Sequence, residues 1–290
     1  MIGATFLRPR TLDEACAILA DHSKKGARAV LLAGGTDLVV ETHLAEPKST
    51  VPPPRTLVDV SSLPELAVIE VHGDVVRLGG GVTYLTLRNE PRLSQRFPLL
   101  SAMAKDVGAL QIQARGTLAG NLATASPAAD GVCALAAYRT TIGLRSVRGE
   151  RTVFLDDFYT GYKRTLRADD EVIAWVELAV PKPPSRWYWR KVGTRLAQAI
   201  SKVAVASVAE LDGDVVRTIR FGVASVAATT ALLPNVRRAI EGKPVAAVDL
   251  REVMAALDAD IKPIDDVRST GRYRMHVARA LVRDVIGNLS

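Results

Sequence analysis

Two glycine-bearing segments about eighty residues apart constrain this chain more than any other feature: Val30-Leu31-Leu32-Ala33-Gly34-Gly35-Thr36-Asp37 and Gly116-Thr117-Leu118-Ala119-Gly120-Asn121-Leu122-Ala123-Thr124. Each brings a short apolar run or turn to a polar tip. Successive backbone N–H groups in such a turn form a concave anion site, so the pair reads as two loops holding one dinucleotide. Adjacent glycines remove Cβ crowding where backbone must approach a ligand. Thr36 adds a hydroxyl donor, and Asp37 can tie the turn through neighbouring amides. Thr117, Asn121 and Thr124 supply two hydroxyls and an amide for phosphate or ribose oxygens. Asp130 follows, with a carboxylate suited either to a ribose hydroxyl or to a helix start. Ala33–Asp37 is not the Gly-x-Gly-x-x-Gly of a Rossmann fold, and no Gly-x-x-x-x-Gly-Lys-Ser/Thr occurs, so standard NAD and P-loop readings lose support.

Local patterning places these loops on an α/β framework. Thr11-Leu12-Asp13-Glu14 has the form of a capping box, and Ala15, Ile18 and Leu19 recur at helical spacing. The expectation is a helix over about 12–21, ended by Gly26, then a short strand Ala29–Ala33 that delivers the first loop. After a proline-rich connection from Pro47 to Pro54, Thr56–Val60 returns as a strand. Val68–Val71 and Val75–Leu78 flank His72-Gly73-Asp74 as a hairpin. Phe97–Val107 and Ala128–Tyr138 read as helices, Ile142–Val147 and Thr152–Phe154 as a hairpin, and Glu171–Val180 as a strand. Pro181, Pro183 and Pro184 mark the best domain boundary. Beyond it come three strands, 187–192, 202–211 and 215–223, then helices near 230–241, 249–257 and 270–286. Strands followed by helices indicate α+β.

Composition narrows the class. With 48% hydrophobic and 24% charged residues, the 290-residue chain is an ordinary globular protein with room for a sizeable core. No stretch approaches the length of a membrane span, and no leader pattern is visible, so the reading is cytoplasmic. Cys16 and Cys133 stand alone, and four scattered histidines have no metal-ligand spacing, so packing is the expected role of both thiols. Net charge is +7, with basic residues crowded at Arg186, Arg190, Lys191 and Arg195 and again at Arg268, Arg272, Arg274, Arg279 and Arg283. Only 5% aromatics and no reading motif weigh against nucleic acid, leaving a solvated or subunit-facing surface.

Ala33-Gly34-Gly35-Thr36-Asp37-Leu38, taken with Gly116-Thr117-Leu118-Ala119-Gly120-Asn121-Leu122-Ala123-Thr124-Ala125-Ser126-Pro127-Ala128-Ala129-Asp130, resembles the FAD-binding, or medium, subunit of the molybdenum hydroxylases, the xanthine dehydrogenase and aerobic carbon monoxide dehydrogenase family. Phe158-Tyr159-Thr160-Gly161-Tyr162-Lys163, Asp170-Glu171-Val172-Ile173 and Lys191-Val192-Gly193-Thr194-Arg195 before Ile200-Ser201-Lys202-Val203 match in order, so the resemblance covers nearly the whole chain. It implies an α+β fold. A two-part FAD-binding domain over 1–182, of vanillyl-alcohol-oxidase/PCMH type, divides at about 57/58 into an α/β part and a mixed sheet. A smaller domain of antiparallel sheet with helices follows over 183–290.

The resemblance also implies roles. Val30, Leu31, Leu32, Ala33, Gly34, Gly35, Thr36 and Asp37, with Thr117, Leu118, Ala119, Gly120, Asn121 and Thr124, would bind the FAD diphosphate and ribityl region. Asp130 would hold FAD through a polar group, Ile173 by packing and backbone, Lys191 near the flavin end, and Val107 close by. Ala119 stands where many relatives have glycine. Tyr159 or Tyr162 is a candidate to stack on the flavin. The implied complex adds a large molybdopterin subunit and a small [2Fe-2S] subunit as a dimer of heterotrimers, with NAD+, quinone or oxygen open as acceptor. Two cysteines argue against the variant whose flavin subunit carries its own [4Fe-4S] cluster, which needs four thiolate ligands. An assembly subunit that kept the fold, or a stand-alone flavin oxidase, are the alternatives.

Overall fold

Thr11 starts the first helix, Leu12–Lys24, by accepting the Glu14 N–H on its hydroxyl at 3.1 Å, while the Glu14 carboxylate reaches back to the Arg10 N–H at 2.7 Å. The helix buries Ala15, Cys16, Leu19 and Ala20. Gly26, at φ +62°, turns the chain into the strand Ala29–Leu32. The computed structural model describes residues 4–44, 56–195 and 197–289, so the Pro47–Pro54 connection lies outside the described residues. Ala29–Leu32 pairs in parallel with Thr56–Asp59, whose other edge pairs in parallel with Thr5–Leu7, a strand the sequence pattern does not reveal.

A five-stranded sheet follows, in the order Ile69–His72, Val75–Gly79, Val172–Ala179, Thr140–Ser146 and Gly149–Phe154, antiparallel at every pairing. Parallel and antiparallel pairing are thus segregated into two sheets rather than mixed in one. The central strand Val172–Ala179 is apolar and largely buried, as a strand covered on both faces must be. Between its neighbours run six short helices: Tyr84–Asn89, Pro91–Arg96, Pro98–Asp106, Leu110–Arg115, Leu118–Thr124 and Asp130–Ala136.

The last third of the chain is a three-stranded antiparallel sheet, Ser185–Val192, Val203–Asp212 and Val215–Ala224, then helices Pro234–Ile240, Leu250–Asp260 and Gly271–Gly287. Strand alternation lets one strand serve two cores. Ala204, Ala206 and Val208 pack with the N-terminal helices, while Val203, Val205 and Leu211 pack with Leu281, Val282 and Val285. The helix Asp130–Ala136, buried from Gly131 onward, is wedged against this sheet. Gly222 permits the approach, because a Cβ there would overlap the Cys133 carbonyl, and the Cys133 thiol donates to the Gly222 carbonyl at 3.0 Å. Both cysteines are buried and free.

The second basic cluster lies at the surface at Arg268, Arg272, Arg279 and Arg283 and is buried only at Arg274. Arg274 is buried, donating to the Ser225 carbonyl at 2.9 Å and to Asp266 at 2.6 Å, and Arg279 pairs with Asp258. No helix among the described residues is long and apolar enough to cross a membrane.

Candidate functional site

The two glycine loops meet. A Cβ on Gly34 would fall on the Arg115 carbonyl, so only glycine lets the first loop lie against the backbone that enters the second. Gly35, at φ +73°, takes a left-handed conformation that turns the chain into the helix Leu38–Leu44, whose Val39 N–H bonds the Gly35 carbonyl at 3.0 Å. The backbone amides of Gly34, Gly35, Thr36 and Asp37 have no protein acceptor among the described residues. Four consecutive free N–H groups at a turn form an anion nest.

The second loop is held by its own cap. Thr117 precedes the helix Leu118–Thr124 and accepts the Gly120 N–H at 3.0 Å. Ala125, at φ +51°, ends it. Across the 87 residues between the loops, the Thr124 hydroxyl lies 2.9 Å from an Asp37 carboxylate oxygen and 3.0 Å from the Gly120 carbonyl, so its proton is shared between helix and first loop. Asn121 accepts the Val132 N–H at 3.2 Å, tying this helix to Asp130–Ala136.

Around the junction opens a cavity of about 1060 Å³, at the upper end of the roughly 300–1000 Å³ of cofactor sites. Val30 through Asp37, Val107, Thr117, Ala119, Gly120, Asn121, Thr124 and Ile173 all line it. Leu118 lies behind the wall, buried, its N–H bonded to the Val82 carbonyl at 3.2 Å. Asp130 and Lys191 are not among the lining residues. They face each other at 2.5 Å, with Ser201 donating to Asp130 at 2.6 Å and Lys191 also donating to the Asp106 carbonyl at 2.9 Å. Burial raises the Asp130 carboxyl, and Lys191 and Ser201 draw it back. Tyr162 is exposed; Tyr159 lines a separate cavity of about 270 Å³ and bonds the Leu122 carbonyl at 3.1 Å.

Three features of the wall have no counterpart in the loop motifs. Gly80 and Gly81 bring the hairpin's exit to the cavity, and a Cβ on Gly80 would overlap the Ile173 carbonyl. Arg167 lines the same space. Tyr84 does too: it is buried, yet its hydroxyl has no hydrogen-bond partner among the described residues. Burial, reinforced by Asp130 and Asp37, pushes this phenol far above its ordinary pKa, so it is a permanent donor. A buried donor without an acceptor costs about 1–3 kcal/mol. That hydroxyl is sealed in protein; the donors that face the cavity are the nest of free amides, set in a glycine cradle a Cβ would fill, and they fit a cofactor rich in anionic oxygens.

The turn carrying Arg167 is anchored by Glu171, which accepts two Arg151 N–H bonds at 2.6 and 2.8 Å and the Ala168 N–H at 2.8 Å. Arg151 holds the Glu171 carboxyl below its usual value. A depressed carboxyl stabilises the fold fully above its unfolded pKa, about 4.3, and loses that contribution as pH falls through the folded value. Glu171→Gln is therefore expected to cost about 2 kcal/mol at pH 7, with the gap to wild type closing below about pH 4 in urea unfolding.

Fold and cleft together define a class, an α+β protein built to hold a dinucleotide cofactor. The chain belongs to the family described as the FAD binding domain in molybdopterin dehydrogenase, which it matches over residues 2–183; residues 188–289 match the CO dehydrogenase flavoprotein C-terminal domain. It is similar to the nicotinate dehydrogenase FAD-subunit of Eubacterium barkeri, 33% identical over 210 residues, 71% of this chain and 69% of that one. The carbon monoxide dehydrogenase medium chain of Hydrogenophaga pseudoflava is 29% identical over 280 residues, 95% of this chain and 93% of the relative. A solved carbon monoxide dehydrogenase from the same organism, lacking the Mo-pyranopterin moiety of its cofactor, superposes with a TM-score of 0.92 at 26% identity, over 100% of this chain and 98% of its counterpart.

Proposed function

We propose that this chain is the FAD-carrying electron-transfer subunit of a heteromeric molybdenum hydroxylase. The observation that carries the reading is the junction of the two loops, Gly34 on the Arg115 carbonyl and Asp37 on Thr124, which brings to the wall of one cavity four residues whose amides have no protein acceptor among the described residues. Residues 1–182 form the cofactor domain, in parts of about 1–57 and 58–182, and 183–290 the closing domain. Gly34 to Asp37 and Thr117 to Asn121 hold the diphosphate, and Val107 and Ile173 exclude water. Asp130 and Lys191, locked together, fix the wall near the flavin end.

When bound, FAD takes up electrons singly and releases them as a pair, so it joins iron–sulfur carriers to two-electron acceptors. The protein supplies placement and electrostatics. By analogy with relatives named medium subunits or chains, such as nicotine 6-hydroxylase of Paenarthrobacter nicotinovorans, a small [2Fe-2S] subunit delivers electrons and a large molybdopterin subunit oxidises substrate. The complex is a cytoplasmic dimer of heterotrimers, with NAD+, quinone or oxygen as acceptor. Steady-state reduction assays with each acceptor distinguish these three.

Titrating the cofactor-free full chain with FAD, followed by flavin fluorescence, tests the core of the reading: a folded chain that never takes up FAD sinks it. Tyr84→Phe probes the orphaned hydroxyl, which is sealed from the cavity. Removing it is expected to stabilise the FAD-free protein by about 1 kcal/mol and leave FAD affinity unchanged. Weaker FAD binding in Tyr84→Phe would place the hydroxyl in contact with the cofactor.

A further inference from the structure

Arg167 sits on the turn between the short strand Arg164–Thr165 and the central strand Val172–Ala179, on the cavity wall. Its Nη1 donates to the carbonyls of Ala168 at 2.9 Å and Glu171 at 2.7 Å, which fixes the plane of the guanidinium. Its Nε and Nη2 have no protein acceptor among the described residues, and they are not sealed in protein as the Nε of Arg274 is. The carboxylates beside it in sequence are engaged elsewhere: Asp170 with Arg148, Glu171 with Arg151. Asp169 lines the cavity but makes no ion pair with Arg167 among the described residues.

A half-buried, always-charged group without a counter-ion is unfavourable unless an anion arrives. Burial indeed lowers the Arg167 pKa, against the pull of Asp169, Glu171 and Asp170. The other cations on the wall are placed differently. Lys163 is paired with Glu41 at 3.2 Å, and Arg28 and Arg115 are exposed on the rim. The nest at Gly34–Asp37 offers dipoles but no net charge, whereas a diphosphate brings two negative charges.

We propose that Arg167 is the fixed counter-charge of the site, donating its free Nε–H and Nη2–H edge to a phosphate of the bound dinucleotide. This rests on the FAD reading above and assigns the cation that the glycine loops lack. A guanidinium edge matches two phosphate oxygens at once, which an ammonium cannot do.

The test compares the full-length wild type with Arg167→Met and Arg167→Lys, titrating FAD and, separately, ADP as a flavin-free diphosphate, together with melting of each cofactor-free protein. Arg167→Met is expected to weaken FAD about 10- to 100-fold and ADP by the same factor. Its FAD-free form should melt no lower than wild type, and its FAD affinity should fall less steeply with salt. Arg167→Lys should recover part of the loss. Unchanged FAD affinity in Arg167→Met overturns the proposal while the FAD reading stands. So does a FAD-free Arg167→Met that melts well below wild type with ADP affinity intact, which would make Arg167 a loop anchor. A wild-type chain that binds neither FAD nor ADP removes both readings.

Discussion

Gly34→Val is expected to abolish FAD retention while the protein stays folded. The new Cβ would overlap the Arg115 carbonyl, and that carbonyl cannot swing away like the end of a side chain. Its neighbour Gly116 is pinned on both sides, its N–H on the Ile112 carbonyl at 2.7 Å and its carbonyl on the Tyr84 N–H at 3.1 Å. Either loop must therefore shift by more than the slack in these bonds. Overpacking of this kind costs about 1–3 kcal/mol, and the displaced nest loses its aim at the phosphate. Together these amount to a loss of at least about 100-fold in FAD affinity at 1.4 kcal/mol per decade. Gly213→Ala is the control. Gly213 has φ +60° with open space around it, in the hairpin joining Val203–Asp212 to Val215–Ala224. It should cost about 1 kcal/mol of stability through backbone strain with FAD affinity unchanged. A Gly34→Val protein that binds FAD like wild type would remove the loop junction from the site.

The loops were legible because their chemistry is local: glycines, a Thr cap and an apolar run announce a turn whatever surrounds it. The same holds for the capping box at Thr11 and the hairpin at Gly73, which the structure places within a residue or two of expectation. Tyr84 and Arg167 were not legible, since their significance lies in what fails to meet them: a hydroxyl without an acceptor and a guanidinium without a carboxylate. Neither absence has a sequence signal. Thr5–Leu7 escaped because three residues cannot show a period, and its partner Thr56–Asp59 lies some fifty residues away. The helices Tyr84–Asn89 and Leu110–Arg115 are too short, at six residues each, to display an amphipathic stripe. Asp130 had two readings, ribose partner or helix start. The structure puts it at the first position of Asp130–Ala136 with its carboxylate on Lys191, a partner 61 residues on.

That partnership sets the second large effect. Lys191→Met is expected to destabilise the FAD-free protein by about 3–5 kcal/mol, the range for breaking a buried ion pair from one side. The side chains of Asp130 and Lys191 are only 11% and 9% exposed, so water cannot replace the lost partner. With the ammonium gone, the Asp130 carboxyl, already raised by burial, rises further. The sign follows from linkage. A raised folded-state pKa means the folded protein binds the proton more readily than the unfolded chain, so the penalty applies above that pKa and fades as pH falls through it. The deficit of Lys191→Met should therefore shrink as pH falls from neutral through the raised pKa of Asp130, as the carboxyl is protonated and donates to what is left of its surroundings. Asp130→Asn should be destabilised as well, by leaving Lys191 buried without its counter-charge, and the double variant should lose less than the two single losses added together. Urea unfolding of the four proteins across this pH range reads the coupling directly. Because the pair also anchors the helix whose Val132 N–H bonds Asn121 on the second loop, FAD affinity should fall with it. Melting without FAD is the decisive comparison: a pair that served the cofactor alone would leave the cofactor-free protein as stable as wild type.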